Sequence, residues 1–122
     1  MELLRVDRDD RGTDTVVTAA GQLDVATAGK LRQVLMEVQY GGTRQVALDL
    51  DSVEFLDSFG LGVIVGGLKR ARSHGGDIVL VCSRERIRHV LSITRLDEIV
   101  RVAASIEEAF AADGAARPSH AE

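Results

Sequence analysis

Apolar positions along the chain switch between two periods, and the switches mark its elements. Leu3, Leu4 and Val6, and then Thr15 to Ala20, form two short strand-like runs. Between them D-R-D-D-R-G-T-D, with its aspartates and Gly12, reads as a hairpin loop, so the chain opens with an antiparallel pair. From Ala26 to Tyr40 the residues Ala28, Leu31, Leu35 and Val38 recur at spacings of three and four, one face of a helix that Gly41-Gly42 ends. Val46, Leu48 and Leu50 alternate with Ala47 and Asp49 as a strand. Ile78 to Cys82 is a continuous apolar run, the pattern of a strand covered on both faces. Between these strands a second helix turns Leu61, Ile64, Val65 and Leu68 inward, and H-G-G-D at His74 to Asp77 leads into the next strand, completing a βαβ unit.

A third helix is expected after Ser83, with Ile87, Val90 and Leu91 inward, then a short strand near Ile99 to Val102. A fourth helix begins at Ser105, where Ser105 and Glu108 have the spacing of a capping box. The elements predict one α/β domain over residues 1–112, a mixed sheet of four to five strands with about four helices packed on it. From 113 to 122 the sequence has no apolar periodicity and holds the single proline, the composition of a disordered tail.

Composition narrows the classes. At 122 residues, 45% hydrophobic and 28% charged, the chain has the size and balance of one globular domain able to bury a core without disulfides or a structural metal. Its one cysteine, Cys82, forms no intrachain bridge and suits a reducing cytosol. The longest uncharged apolar stretch, Phe59 to Leu68, has ten residues including four glycines, short of the roughly 20 that a membrane span needs. Charges scattered through the first ten residues do not match a signal peptide, so a cytoplasmic location is expected. A net charge of −4, three Phe, one Tyr and no Trp argue against direct nucleic-acid binding. The basic residues Lys69, Arg70 and Arg72 read as cations facing water at a helix C-terminus.

The segment from Val46 to Ala71 makes choices that stability alone does not favour. Gly60, Gly62, Gly66 and Gly67 lie in one predicted helix, each costing up to about 1 kcal/mol relative to alanine. Packing of helix on sheet accounts well for Gly66 and Gly67. It accounts less well for Gly60 and Gly62, whose place in the first turn leaves a surface that another backbone or a phosphate can approach. Asp57 is the expected cap and Ser58 about the first helical residue, beside the positive end of the helix dipole. A hydrolase nucleophile elbow requires Gly two residues before the serine, where this chain has Leu56, and none of His74, His89 and His120 stands out as a base. G-L-G at Gly60 to Gly62 lacks the third glycine of a dinucleotide-binding loop. No catalytic residue, cofactor or metal is expected.

The run L-D-L-D-S-V-E-F-L-D-S-F-G-L-G-V, with G-Q-L-D at Gly21 to Asp24, G-G-D-I-V-L-V at Gly75 to Val81 and S-I-E-E-A at Ser105 to Ala109, resembles the bacterial anti-sigma factor antagonists. These are single-domain members of the STAS group, and the resemblance covers about residues 2–112. It implies helices mainly on one side of the sheet. It further implies a non-enzymatic switch in which unphosphorylated protein binds an anti-sigma factor that is itself a serine kinase, freeing the sigma factor. Phosphorylation of Ser58 by that partner turns the switch off, and a metal-dependent serine phosphatase reverses it. The partner surface implied is Asp24, Asp57, Ser58, Phe59, Gly60 and Gly62. Where the family usually has Ser or Thr after the acceptor, this chain has Phe59, which leaves Ser58 as the one hydroxyl of the motif and sets a ring on the docking surface. Asp24 matches a family aspartate beside the acceptor and is equally placed to cap the helix starting near Ala26. The alternative function is a scaffold or regulatory subunit in a signalling or membrane transport complex.

Overall fold

Five strands lie side by side in sequence order in the computed structural model, which describes residues 3–111. The elements are β1 (Leu4–Arg11), β2 (Asp14–Leu23), α1 (Ala28–Tyr40), β3 (Gln45–Leu56), α2 (Ser58–Ser73), β4 (Asp77–Val81), α3 (Glu85–Ile93), a 3₁₀ turn (Leu96–Glu98), β5 (Arg101–Ala103) and α4 (Ile106–Ala111). β1 is antiparallel to β2 and every later neighbour is parallel, which gives the mixed α/β sheet expected. The 113–122 segment, expected as a tail, lies outside the described residues. No helix among the described residues is long and apolar enough to cross a membrane.

Two strands outrun their apolar residues. Asp7 to Arg11 and Asp14, expected as loop, are strand: Arg11 pairs with Asp14, and Gly12 and Thr13 alone make the turn, with Gly12 at φ 69°. β1 is an edge strand, and from Asp7 onward its side chains are exposed, so charge is tolerated on both faces. The pairs Arg5–Asp7, Arg8–Asp10 and Arg11–Asp9 line it, and such a charged edge discourages pairing with another chain. β3 continues past Leu50 to Leu56. Its pairing with β2 slips twice, between Thr18 and Ala20 and between Gly21 and Gln22, and each slip adds one residue on β3. Each extra residue resets the alternation, so Val53 and then Leu56 return to the core.

The main core joins Leu31, Leu35 and Val38 of α1, Ile64 and Leu68 of α2, and Ile87 and Leu91 of α3 to Leu48, Leu50, Ile78 and Leu80 of the sheet. On the opposite face Val16, Ala47, Val79, Val81 and Ala103 pack under Ala109, flanked by Ile106 and Phe110. Three helices therefore share one side and α4 takes the other. That arrangement buries β4 throughout, as its unbroken apolar run requires, and buries Ala47 as well. At the start of α4, Ser105 Oγ accepts the Glu108 N–H at 3.1 Å, while the Glu108 carboxylate reaches back to the N–H of Ala104 instead of that of Ser105.

Candidate functional site

Strands β2 and β3 end side by side, with Leu23 paired to Leu56, and the chain leaves both at the same end of the sheet. In open α/β sheets this end, beyond the carboxyl ends of the strands, is where ligands gather. The Asp57 N–H continues the ladder by one more bond, to Leu23 O at 3.2 Å. Asp57 itself is extended (φ −111°, ψ −173°) and caps α2: its Oδ1 accepts the N–H groups of Phe59 at 2.9 Å and Gly60 at 3.1 Å. Its carbonyl accepts the Leu61 N–H, the first bond of the helix. Ser58 is accordingly the first residue of α2, exposed, on a helix terminus that favours negative charge. The other oxygen of Asp57, Oδ2, accepts the Val25 N–H at 3.2 Å from the loop after β2.

Asp24 holds that loop. Its Oδ1 accepts the N–H groups of Ala26 at 2.9 Å and Thr27 at 3.2 Å, and its carbonyl accepts that of Ala28. Thr27 Oγ1 accepts the Asp24 N–H and donates to Gln22 O. These bonds shape a separate turn, so α1 starts at Ala28, two residues later than the sequence suggests, with Thr27 as its cap residue. Asp24 shapes the approach to α1 and, through the neighbouring Val25, also stands at the Asp57–Ser58 corner.

The glycines of α2 divide differently from the sequence expectation. Gly60 is buried, and a Cβ on it would stand 2.7 Å from Leu23 Cγ and Leu56 Cδ1. It is a packing glycine facing inward, which corrects its reading as clearance for a partner. Gly67 packs likewise, its Cβ position lying 3.1 Å from Leu35 Cδ1. A Cβ on Gly62 meets nothing within 4 Å, and one on Gly66 meets only Arg70 Nη1 at 3.6 Å. Phe59 is 57% exposed, and Val25 at 64% and Phe55 at 46% add two more apolar side chains at this end of the sheet. Sequence reading missed Val25 and Phe55. The available signal was an apolar residue out of phase with its neighbours, Val25 within the turn after β2 and Phe55 near the end of β3.

Ser58 has no base within reach along its own helix. His74 closes the far end of α2, about 24 Å away at 1.5 Å per residue, where its Nδ1 lies 2.9 Å from Arg70 O. The basic residues near that end do more than face water. Arg72 reaches Asp77 Oδ1 at 3.1 Å and Ile99 O at 2.7 Å, and Arg70 Nε donates to Gln39 Oε1 at 3.1 Å.

The family model of the STAS domain matches residues 5–109. A Thermotoga neapolitana protein named as an anti-sigma factor antagonist homolog is 50% identical over 69 residues, which are 57% of this chain and 61% of that one. The Staphylococcus aureus anti-sigma-B factor antagonist is 34% identical over 86 residues, covering 70% of this chain and 80% of its own length. The crystal structure of an anti-sigma factor antagonist from Mycobacterium paratuberculosis superposes with a TM-score of 0.82 at 25% identity, covering 89% of this chain and 92% of that one.

Proposed function

The chain belongs to the STAS domain family, and on that premise we propose that it acts as an anti-sigma factor antagonist, binding an anti-sigma factor at the corner where β2 and β3 end and α2 begins. The observation that carries this reading is Ser58: an exposed hydroxyl on the first residue of a 16-residue helix, capped by Asp57 and flanked by an exposed phenylalanine and an open glycine. Phe59, Val25 and Gly62 supply contact surface, Asp24 and Asp57 hold its backbone, and Gly60 seats it on the sheet. The unphosphorylated protein binds its partner in the cytoplasm and releases the sigma factor. The partner, a serine kinase, phosphorylates Ser58 and ends the interaction, and a serine phosphatase restores it. The protein contributes a surface and an acceptor rather than catalysis.

Affinity capture from the native cytosol with wild type, Ser58→Ala and Ser58→Asp tests this reading. Wild type and Ser58→Ala retain an anti-sigma factor that carries a kinase domain, and Ser58→Asp retains less of it. With Mg²⁺ and ATP the captured kinase phosphorylates wild type at Ser58 and leaves Ser58→Ala unmodified. A main phosphate on Ser52, Ser73 or another serine, or loss of capture by Ser58→Ala, defeats the proposal.

A further inference from the structure

We propose that Asp57 couples the two halves of this corner: its carboxylate ties the β2–α1 loop to the first turn of α2, and a phosphate on Ser58 releases the loop. The second half rests on the proposed phosphorylation; the first does not. Oδ1 holds Phe59 and Gly60 at 2.9 and 3.1 Å, and Oδ2 holds Val25 at 3.2 Å. Val25 and Phe59, both exposed apolar residues, thus hang by their N–H groups from the two oxygens of one carboxylate, with Ser58 beside it. Asp57 is a positioning residue that sets where Val25 stands relative to Phe59.

A phosphoserine at 58 places a charge of about −1.5 to −2 next to this carboxylate and offers oxygens to the same helix N-terminal N–H groups. The exposed Val25 bond is the longest of the three and has no helix terminus behind it, so it yields first. The turn held by Asp24 Oδ1 at Ala26 and Thr27 stays closed. What is lost is its attachment to α2, and with it the fixed spacing of the apolar pair.

Two variants separate capping from tying. Asp57→Asn keeps one oxygen for the helix cap but turns an NH₂ donor toward the Val25 N–H. Asp57→Ser keeps a capping hydroxyl and is too short to serve both sides. Amide hydrogen exchange is measured on the isolated chain for wild type, both variants, wild type with phosphoserine incorporated at 58, and Asp57→Asn with the same phosphoserine. Val25 exchange rises about tenfold in Asp57→Asn and Asp57→Ser, while Phe59 and Gly60 stay within about threefold of wild type. Phosphoserine gives a similar rise at Val25 in wild type and adds less than about twofold in Asp57→Asn. Unchanged Val25 protection in both variants overturns the tie. An equal phosphoserine effect in wild type and Asp57→Asn overturns its role in the switch. No partner is present in these measurements, so failure to capture an anti-sigma factor defeats the proposed function and leaves the exchange result standing.

Discussion

A Cβ built on Gly60 would stand 2.7 Å from two leucine side chains and 2.9 Å from Leu23 O, whereas one on Gly62 finds open space. The backbone oxygen cannot rotate away as a side chain can, so Gly60→Ala forces α2 off the ends of β2 and β3. The expected cost is about 1–3 kcal/mol, the range for overpacking a filled core. Gly62→Ala is expected to gain up to about 1 kcal/mol of stability from helix propensity, and to weaken partner binding if the open glycine surface is where the partner docks. Denaturant unfolding of both variants reads the first difference, and a paired titration reads the second. At Cys82 the governing effect is burial, which pushes the thiol pKa up. The folded state therefore holds the thiol proton more tightly than the unfolded chain does. That contribution is complete below the ordinary thiol range and is lost as pH rises through the folded value. Urea midpoints measured from about pH 8 to 10 should fall more steeply for wild type than for Cys82→Ala.

Among the elements, α2 carries the proposed site at one end and is anchored at the other. Arg72 spans from its last turn to Asp77, at the start of β4, and to the carbonyl of Ile99 ahead of β5. The Asp77 side chain is only 12% exposed, so Arg72→Ala removes a charge-assisted bond from a shielded carboxylate as well as a bond to the backbone. A loss of about 1–2 kcal/mol is expected. Arg72→Lys should recover only part of it, because an ammonium lacks the planar fork that serves both acceptors. Thermal unfolding of the two variants checks the order. The inward faces of α1, α2 and α3 were legible in the sequence because helical periodicity records burial directly: Ala28, Leu31, Leu35 and Val38 are the buried residues of α1. The extent of β1 and β3 was not. An edge strand exposed on both faces writes no alternation, and a bulged strand writes one that breaks and restarts. Ser58 and its Asp57 cap were legible because capping chemistry is local. The inward position of Gly60 was not, since it depends on Leu23, far away in sequence.

For the whole molecule, the decisive arrangement is that Ser58, the proposed acceptor, sits outside both hydrophobic clusters, at the end of the sheet, while the cores lie between the sheet and the helices on either face. A phosphate on Ser58 takes the net charge from −4 to about −6 without entering either cluster. In the free protein it meets solvent and the N-terminus of α2, a favourable interaction of about 0.3–2 kcal/mol. Repulsion from Asp57, and the proposed loss of the Val25 bond, would offset part of that, so the net change in folding stability is expected to stay below about 1 kcal/mol. In the proposed complex the same charge would be pressed between two surfaces. The Asp24 and Asp57 carboxylates at the corner accept from the backbone N–H groups of Val25, Ala26, Thr27, Phe59 and Gly60. An unpaired charge buried there costs on the order of 3–5 kcal/mol, a hundredfold to several-thousandfold in affinity. Unfolding phosphorylated and unphosphorylated protein in urea, and titrating each against the captured anti-sigma factor, compares the two effects directly. Affinities within about threefold of each other, or a phosphorylated form that no longer folds, would show that local charge is not what works the switch.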